Sequence, residues 1–208
     1  NSSSTAGTQS GGVTLTGATT IGGTGGITIS GAISGAYVVS FNAAGNLVLS
    51  GANASLNLGG GSATSVDIEN TTSLEVSGAL ALSGASKLLN SSVLTLDSGA
   101  ALSTTSGNLI IKTARFVNNA GASALSVTGG GYWQVWSSNT SPFSGGTQDT
   151  VGSLPANYIQ YGATYGTSTV LGTGNGLLYT YQPTLTAALT GTVSKQYDST
   201  TSASVANS

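Results

Sequence analysis

The sequence predicts an all-β protein: a parallel β-helix (β-solenoid) with a C-terminal aromatic-rich cap and an extended tail. Three observations support this fold class. Short segments alternate apolar, polar and apolar residues, glycine recurs every few residues, and similar segments return after about one solenoid coil. Alternation with period two places the apolar pair on one face of a strand. Frequent glycine disfavours helix throughout.

Eight short segments carry the strand signal. They begin at Val13, Ile27, Leu56, Val66, Leu74, Leu80, Leu94 and Leu125. The tripeptide Ser-Gly-Ala follows or interrupts them, starting at Ser30, Ser34, Ser50, Ser77, Ser83 and Ser98. Because stacked coils pair strand on strand at about 4.8 Å, we expect six or seven coils between Val13 and Val127, enclosing a narrow apolar core. The residues predicted to point inward and stack in columns are Leu56, Leu58, Leu74, Val76, Leu94 and Leu96.

Composition divides the chain into four expected segments. Residues 1–12 lack an apolar triplet and are predicted to form an N-terminal extension, and residues 13–128 hold the β-helix coils. Seven of the eight tyrosines, both tryptophans and all three prolines lie beyond Gly129. We therefore expect residues 129–182 to form an irregular β cap over the last open coil. Residues 183–208 are expected to be a linker or strand that ends in an incomplete repeat.

Charge and cysteine content exclude several classes of function. The 208 residues include ten charged ones, with a net charge of −2, and no Cys, His or Met. The sequence therefore lacks the basic patch that nucleic-acid binding needs, and it lacks the apolar run of about 18 residues that spans a membrane. Without cysteine there is no disulfide scaffold and no thiolate metal site. With no signal peptide at its start, the chain is expected to be a mature piece of something longer.

The tail resembles a known family. Residues 191–201 read Gly-Thr-Val-Ser-Lys-Gln-Tyr-Asp-Ser-Thr-Thr and resemble the opening of the YDG-type repeat of large bacterial exoproteins, with Ser199 in place of the usual glycine. Residues 132–136, 158–166 and 174–179 resemble the segment that joins stem to repeats in filamentous-haemagglutinin-like adhesins. This resemblance implies a right-handed β-helix exported by a two-partner system. It also implies display on the bacterial cell surface and roles in attachment, aggregation and biofilm matrix.

Catalytic chemistry has few candidates in this sequence. Without His or Cys, mainly six carboxylates and four cations remain. Asp67 and Glu69 alternate onto one strand face, and Glu75 is placed on an adjacent coil. Three interpretations stay open for these carboxylates: a solvated acidic strip, a weak calcium site, or the carboxylate pair of a glycoside-cleaving enzyme. We expect the first, and we expect no enzymatic activity and no cofactor.

Aromatic residues beyond residue 131 are the best candidates for ligand contact, because exposed aromatic rings stack on sugars and anchor interfaces. The candidates are Tyr132, Trp133, Trp136, Tyr158, Tyr161 and Tyr165. The alternative interpretation is that these side chains form the core of the cap itself.

The expected function is that of an extracellular structural or adhesive stem of a secreted bacterial adhesin or biofilm-matrix protein. Its expected partner is a carbohydrate, or a host or matrix surface. One alternative is a self-assembling filament subunit, in which Leu185, Leu189 and Val193 share one face of a strand that pairs with another copy. The other alternative is a β-helical polysaccharide-active enzyme.

Overall fold

The computed structural model describes residues 4–186, which form a parallel β-solenoid of about nine turns with an aromatic cluster near its C-terminal end. The predicted all-β solenoid class is confirmed. Among the described residues no helix is long and apolar enough to cross a lipid bilayer. The strands are β1 (Gly7–Gln9), β2 (Val13–Thr14), β3 (Thr19–Gly23), β4 (Ile27–Ile29), β5 (Ile33–Ser34), β6 (Val38–Ala43), β7 (Leu47–Leu49), β8 (Asn53–Ala63), β9 (Val66–Val76), β10 (Ala79–Leu82), β11 (Ser86–Asn90), β12 (Val93–Leu96), β13 (Ala101–Thr104), β14 (Leu109–Thr113), β15 (Arg115–Asn118), β16 (Leu125–Val127), β17 (Trp133–Ser137), β18 (Tyr158–Tyr161) and β19 (Gly176–Tyr179).

These strands stack into three faces of parallel strands. The first face contains β1, β4, β7, the start of β9, β11, β14, β17, β19 and β18, in that order. The second contains β2, β5, the start of β8, the end of β9, β12 and β15. The third contains β3, β6, the end of β8, β10, β13 and β16. Between Val13 and Val127 the second and third faces hold six strands each, which agrees with the six or seven coils predicted for that range.

The coils lengthen toward the C-terminal end of the rod. On the first face Gly7 pairs with Ile27, whereas near the other end Ile110 pairs with Gln134. The number of residues between register partners, which is the length of one coil, is therefore larger at the C-terminal end. Pairing begins at β1, inside the segment expected to be an N-terminal extension, because its short polar strand finds a partner in β4. Backbone pairing therefore extends the stack beyond the first apolar triplet.

The core consists of inward-pointing side chains stacked in columns, as the sequence predicts. One column runs Leu56, Leu74 and Leu94, and its neighbour runs Leu58, Val76 and Leu96. All six side chains are buried. Burying a side chain of this size contributes about 1.5–3 kcal/mol, so a column repeated over many coils holds the rod together along its length.

Four of the six Ser-Gly-Ala tripeptides, those of Gly31, Gly35, Gly51 and Gly78, lie where consecutive coils approach closely. A Cβ atom on Gly51 would lie 2.1 Å from the carbonyl oxygen of Gly31, and a Cβ on Gly31 would lie 2.1 Å from that of Gly11. At another corner, a Cβ atom on Gly78 would lie 1.9 Å from the carbonyl oxygen of Gly59. No side chain fits at such separations, so these glycines permit the coil spacing.

A buried polar ladder follows the corner between the first and second faces. Its members are Asn53, Thr71, Asn90, Thr113 and Ser137, all of them buried. The Asn53 side chain accepts a hydrogen bond from the backbone N–H of Ile33 (2.7 Å) and donates to the carbonyl of Gly51 (3.0 Å) and the hydroxyl of Thr71 (3.3 Å). Buried polar groups need such partners, and the Asn53 side chain finds three of them where the backbone turns.

At the C-terminal end the strands no longer stack in chain order. β19 pairs with β17, and β18 pairs with β19 on its other side, so the earlier strand β18 is the outermost of the face. Meanwhile the backbone N–H of Asn118 donates to the carbonyl of Thr150 (2.7 Å), and that of Phe116 to the carboxylate of Asp149 (3.2 Å). Residues 149–151 thus close the second face. On the first face, regular pairing continues beyond the cap boundary expected at residue 129.

Candidate functional site

The two tryptophans proposed as ligand contacts are buried. Trp133 points into the main core. Trp136 points outward from the same strand, but Ala163 and Leu178 cover it and form a second apolar cluster outside the solenoid. For these two rings the structure supports the alternative interpretation, a core function within the cap. Trp133 occupies an inward position of β17, whereas Trp136 is covered because the loop at residues 162–175 folds over the outer surface of the first face.

Tyr158 is half-buried and holds that loop in place. Its ring lies where a Cβ atom of Gly172 or Gly176 would be, 2.2 Å from the nearest ring atom in each case. Its hydroxyl accepts a hydrogen bond from the Gln134 amide at 2.8 Å. Burial raises the pKa of Tyr158, and the hydrogen bond from Gln134 partly opposes that rise. Tyr158 thus packs between strand and loop, while the half-buried Tyr132 lies beside it.

An aromatic cluster is exposed at the C-terminal end of the rod. Phe143, 53% exposed, makes edge-on contacts with Tyr161, Tyr179 and Tyr181 at ring-centroid distances of 5.0–5.9 Å. Tyr161, 42% exposed, stacks on the buried Tyr179 directly in register. We call Phe143, Ile159, Tyr161 and Tyr181 the terminal aromatic patch. Ile159 and Tyr161 occupy inward positions of β18, and they are half-exposed because no further strand covers them among the described residues.

A second surface lies at the corner beside the first face and includes Tyr165. It is a cleft of about 620 Å³ that crosses several coils, and we call it the Tyr165 cleft. Its lining residues are Ala52, Glu69, Asn70, Thr71, Leu89, Asn90, Ser91, Lys112 and Tyr165. A smaller cavity of about 70 Å³ adjoins it and shares Lys112 and Tyr165. The cleft brings together two sequence candidates of different kinds, Glu69 and Tyr165.

The three candidate carboxylates do not converge. Asp67 and Glu69 lie toward the start of β9, beside the first face, whereas Glu75 lies further along the same strand, on the second face, and not on an adjacent coil as expected. Asp97 on the next coil faces Glu75. Burial of the Glu75 carboxyl is the largest cause of its raised pKa, and the charge of Asp97 and a hydrogen bond with Asp97 raise the pKa further. The amide of Asn57 donates to the Glu75 carboxylate and opposes this rise. Within residues 4–186 no group of three His, Cys, Asp or Glu side chains could hold a metal ion.

The tail candidates lie mostly beyond the described residues. Leu185 is described: it lies outside any strand and is 94% exposed. Leu189 and Val193 lie outside the described residues, as does the segment that resembles the YDG-type repeat.

No family model, no curated protein and no solved structure matches this chain. The resemblance to filamentous-haemagglutinin-like adhesins therefore rests on the residues quoted for it.

Several site residues were not singled out from the sequence. Asn70 and Lys112 line the Tyr165 cleft, Phe143 belongs to the terminal aromatic patch, and Asp97 faces Glu75. Coil spacing could have placed Asp97 beside Glu75, since the two are separated in sequence by roughly one coil. No sequence signal places Lys112 near Tyr165, because the strand order changes between them.

Proposed function

We propose that the chain is a structural and adhesive stem, part of a secreted bacterial adhesin or biofilm-matrix protein that acts outside the cell. The observation that carries this proposal is the continuous parallel stacking of coils from β1 to β18. A rod built in this way separates its two ends while every coil shares backbone hydrogen bonds with its neighbours.

The outer surface supports the same proposal. On the third face the outward positions run Asn42, Ser62, Ala81, Ser103 and Ser126, without a charged residue. A surface of hydroxyls and amides hydrogen-bonds with hydrated polymers and lacks the electrostatic field that steers charged partners. The quoted resemblance to haemagglutinin-like stems adds the expectation of surface display.

Single-molecule stretching of the full chain, held at its two ends, tests the stem function. A stem should release coils one after another. Each released coil, at about 3.5 Å per extended residue, should lengthen the chain by roughly 70 Å. A Val76→Asp variant serves as a control, because its damaged coils should open at lower force. A single low-force unfolding event in the unaltered chain would contradict a stem that resists tension.

A self-assembling filament subunit is the second candidate, and the edge of β18 favours it. Within the described residues β18 pairs on one side only, and its inward Ile159 and Tyr161 are 52% and 42% exposed. An open strand edge beside apolar side chains is a template for an added strand. The occupant that we propose is segment 183–208 of a second copy, in which Leu185 is exposed.

Light scattering of the full chain and of a variant lacking residues 183–208 tests this candidate. Assembly should occur in the full chain and disappear in the truncated one. An Ile159→Asp variant should also stay monomeric, because it places a charge on the docking edge. Equal assembly in the full and truncated chains, or a monomer in both, would refute the filament.

A further inference from the structure

We propose that the Tyr165 cleft binds a neutral oligosaccharide. This inference deepens the adhesive half of the proposed function by naming a site and a ligand class, and it rests on that function. The cleft has a volume of about 620 Å³, within the range of roughly 300–1,000 Å³ that small-molecule sites occupy.

The aromatic ring of the cleft is held in place before any ligand arrives. Tyr165 packs edge-on against Trp136, with ring centroids 5.5 Å apart and an interplanar angle of 78°. The loop that carries Tyr165 is fixed by Gln160, whose amide donates to the carbonyl of Thr169 and accepts from the N–H of Leu171, both at 2.9 Å. A ring that is already ordered costs little entropy on binding, and its face suits the apolar side of a sugar ring.

The polar groups of the cleft suit hydroxyl groups. Within the described chain no hydrogen bond or ion pair holds the Glu69 carboxylate, which is exposed and can accept. The Lys112 ammonium donates to the carbonyl of Asn90 at 3.3 Å and has further donors free. The Asn70 amide donates to the carbonyl of Ser50 at 3.1 Å, which leaves its oxygen available. Sugar hydroxyls both donate and accept, so they match this mixture of groups.

The charge of the cleft selects a neutral ligand. One carboxylate and one ammonium line it, so their charges balance. A polyanion would need a cluster of cations, and a cationic ligand would meet Lys112. Leu89 and Ala52 supply the apolar part of the lining.

The shape of the cleft suits an oligomer. Its lining residues come from four successive coils, at Ala52, Asn70, Asn90 and Lys112. With about 4.8 Å between coils, the cleft extends roughly 14 Å along the rod. A chain of sugars lying along the rod would therefore contact several coils at once, with one end on Tyr165.

Saturation-transfer NMR with the full chain tests the proposal. The probes are neutral tetrasaccharides of glucose, mannose, galactose or N-acetylglucosamine, with a sulfated oligosaccharide as the charged comparison. At least one neutral probe should bind, and Tyr165→Ala should weaken it by about tenfold or more. Glu69→Gln should weaken it less, and Tyr165→Phe should keep most of the affinity because the ring remains.

Tyr161→Ala in the terminal aromatic patch is the matched control and should leave the affinity unchanged. Absence of binding by every neutral probe at about 10 mM, binding that survives Tyr165→Ala unchanged, or tighter binding of the sulfated probe would each overturn the proposal. The stretching experiment does not depend on this result, so the stem and the saccharide site can fail separately.

Discussion

The coils up to residue 128 and the aromatic-rich segment after it both bury apolar side chains, but they do so in different ways. In the coils, medium-sized side chains such as Leu74 and Val76 stack in register, and strands follow one another in chain order. In the later segment β19 inserts between β17 and β18, and a second apolar cluster around Trp136 forms outside the solenoid. A repeating unit needs only local regularity, whereas the end of a rod needs large side chains that reach across strands.

The largest effect is expected from a charge in a core column. Val76→Asp places a carboxylate at a fully buried position between Leu58 and Leu96, where no partner compensates it. We expect a loss of more than about 4 kcal/mol and opening of neighbouring coils, measured by circular dichroism and thermal melting. Ser103→Asp, on the outer surface, is the control and should melt almost normally. An unchanged melting temperature for Val76→Asp would show that the register is wrong.

The polar ladder should be the next most sensitive part of the coils. Asn53→Ala removes the side chain that accepts from the buried N–H of Ile33 and donates to Gly51 and Thr71. We expect a loss of about 2–3 kcal/mol in denaturant unfolding, because buried polar groups lose their partners. Asn42→Ala, at an exposed position, should change stability by less than about 0.5 kcal/mol. Similar losses in the two variants would mean that the ladder is not a structural requirement.

The aromatic segment should respond to loss of the Tyr158 ring without disturbing the coils. Tyr158→Ala uncovers Gly172 and Gly176 and breaks the bond from Gln134, so we expect a loss of about 2 kcal/mol. Tyr158→Phe keeps the ring and should cost about 1 kcal/mol. Hydrogen exchange should become faster in residues 158–179 only. Faster exchange throughout residues 13–128 would show that the two regions fold as one unit.

The smallest effect is expected at the carboxylate pair. Because the pKa of Glu75 is raised, the folded chain holds that proton more tightly than the unfolded chain does. The contribution of Glu75 to stability is therefore fully present below its ordinary pKa of 4.5 and is lost as the pH rises through the raised value. Asp97→Asn should raise the melting temperature at pH 7 and flatten its dependence between pH 4 and 7. A lower melting temperature at pH 7 would contradict a destabilising pair.

Much of the coil region could be predicted from sequence because its information is local. Alternation identified the columns of Leu56 and Leu58, and the recurrence of the short apolar segments indicated stacked coils. The end of the rod could not be predicted in this way. The insertion of β19 depends on pairing between distant segments, and no periodic pattern encodes it.

The candidate site was likewise predictable only in part from the sequence. Tyr165 and Glu69 were each singled out by residue type, yet their meeting in one cleft depends on the loop at residues 162–175. Trp133 and Trp136 were singled out for the same chemical reason as Tyr165, and burial removes them from contact with a ligand. Residue type identifies what can bind a ligand, whereas exposure decides what does.

In-register stacking of consecutive strands decides which side chains face the core, and an engineered disulfide can test it cleanly because the chain contains no cysteine. Ser103 and Ser126 are register partners on the outer surface of β13 and β16. Their Cα atoms should lie about 5 Å apart, within disulfide range, whereas Ser103 and Thr128 should lie roughly 8 Å apart. We predict that the Ser103→Cys, Ser126→Cys variant forms an intramolecular disulfide on mild oxidation and that the Ser103→Cys, Thr128→Cys variant does not. Equal cross-linking of both variants, or of neither, would contradict in-register stacking of β13 on β16.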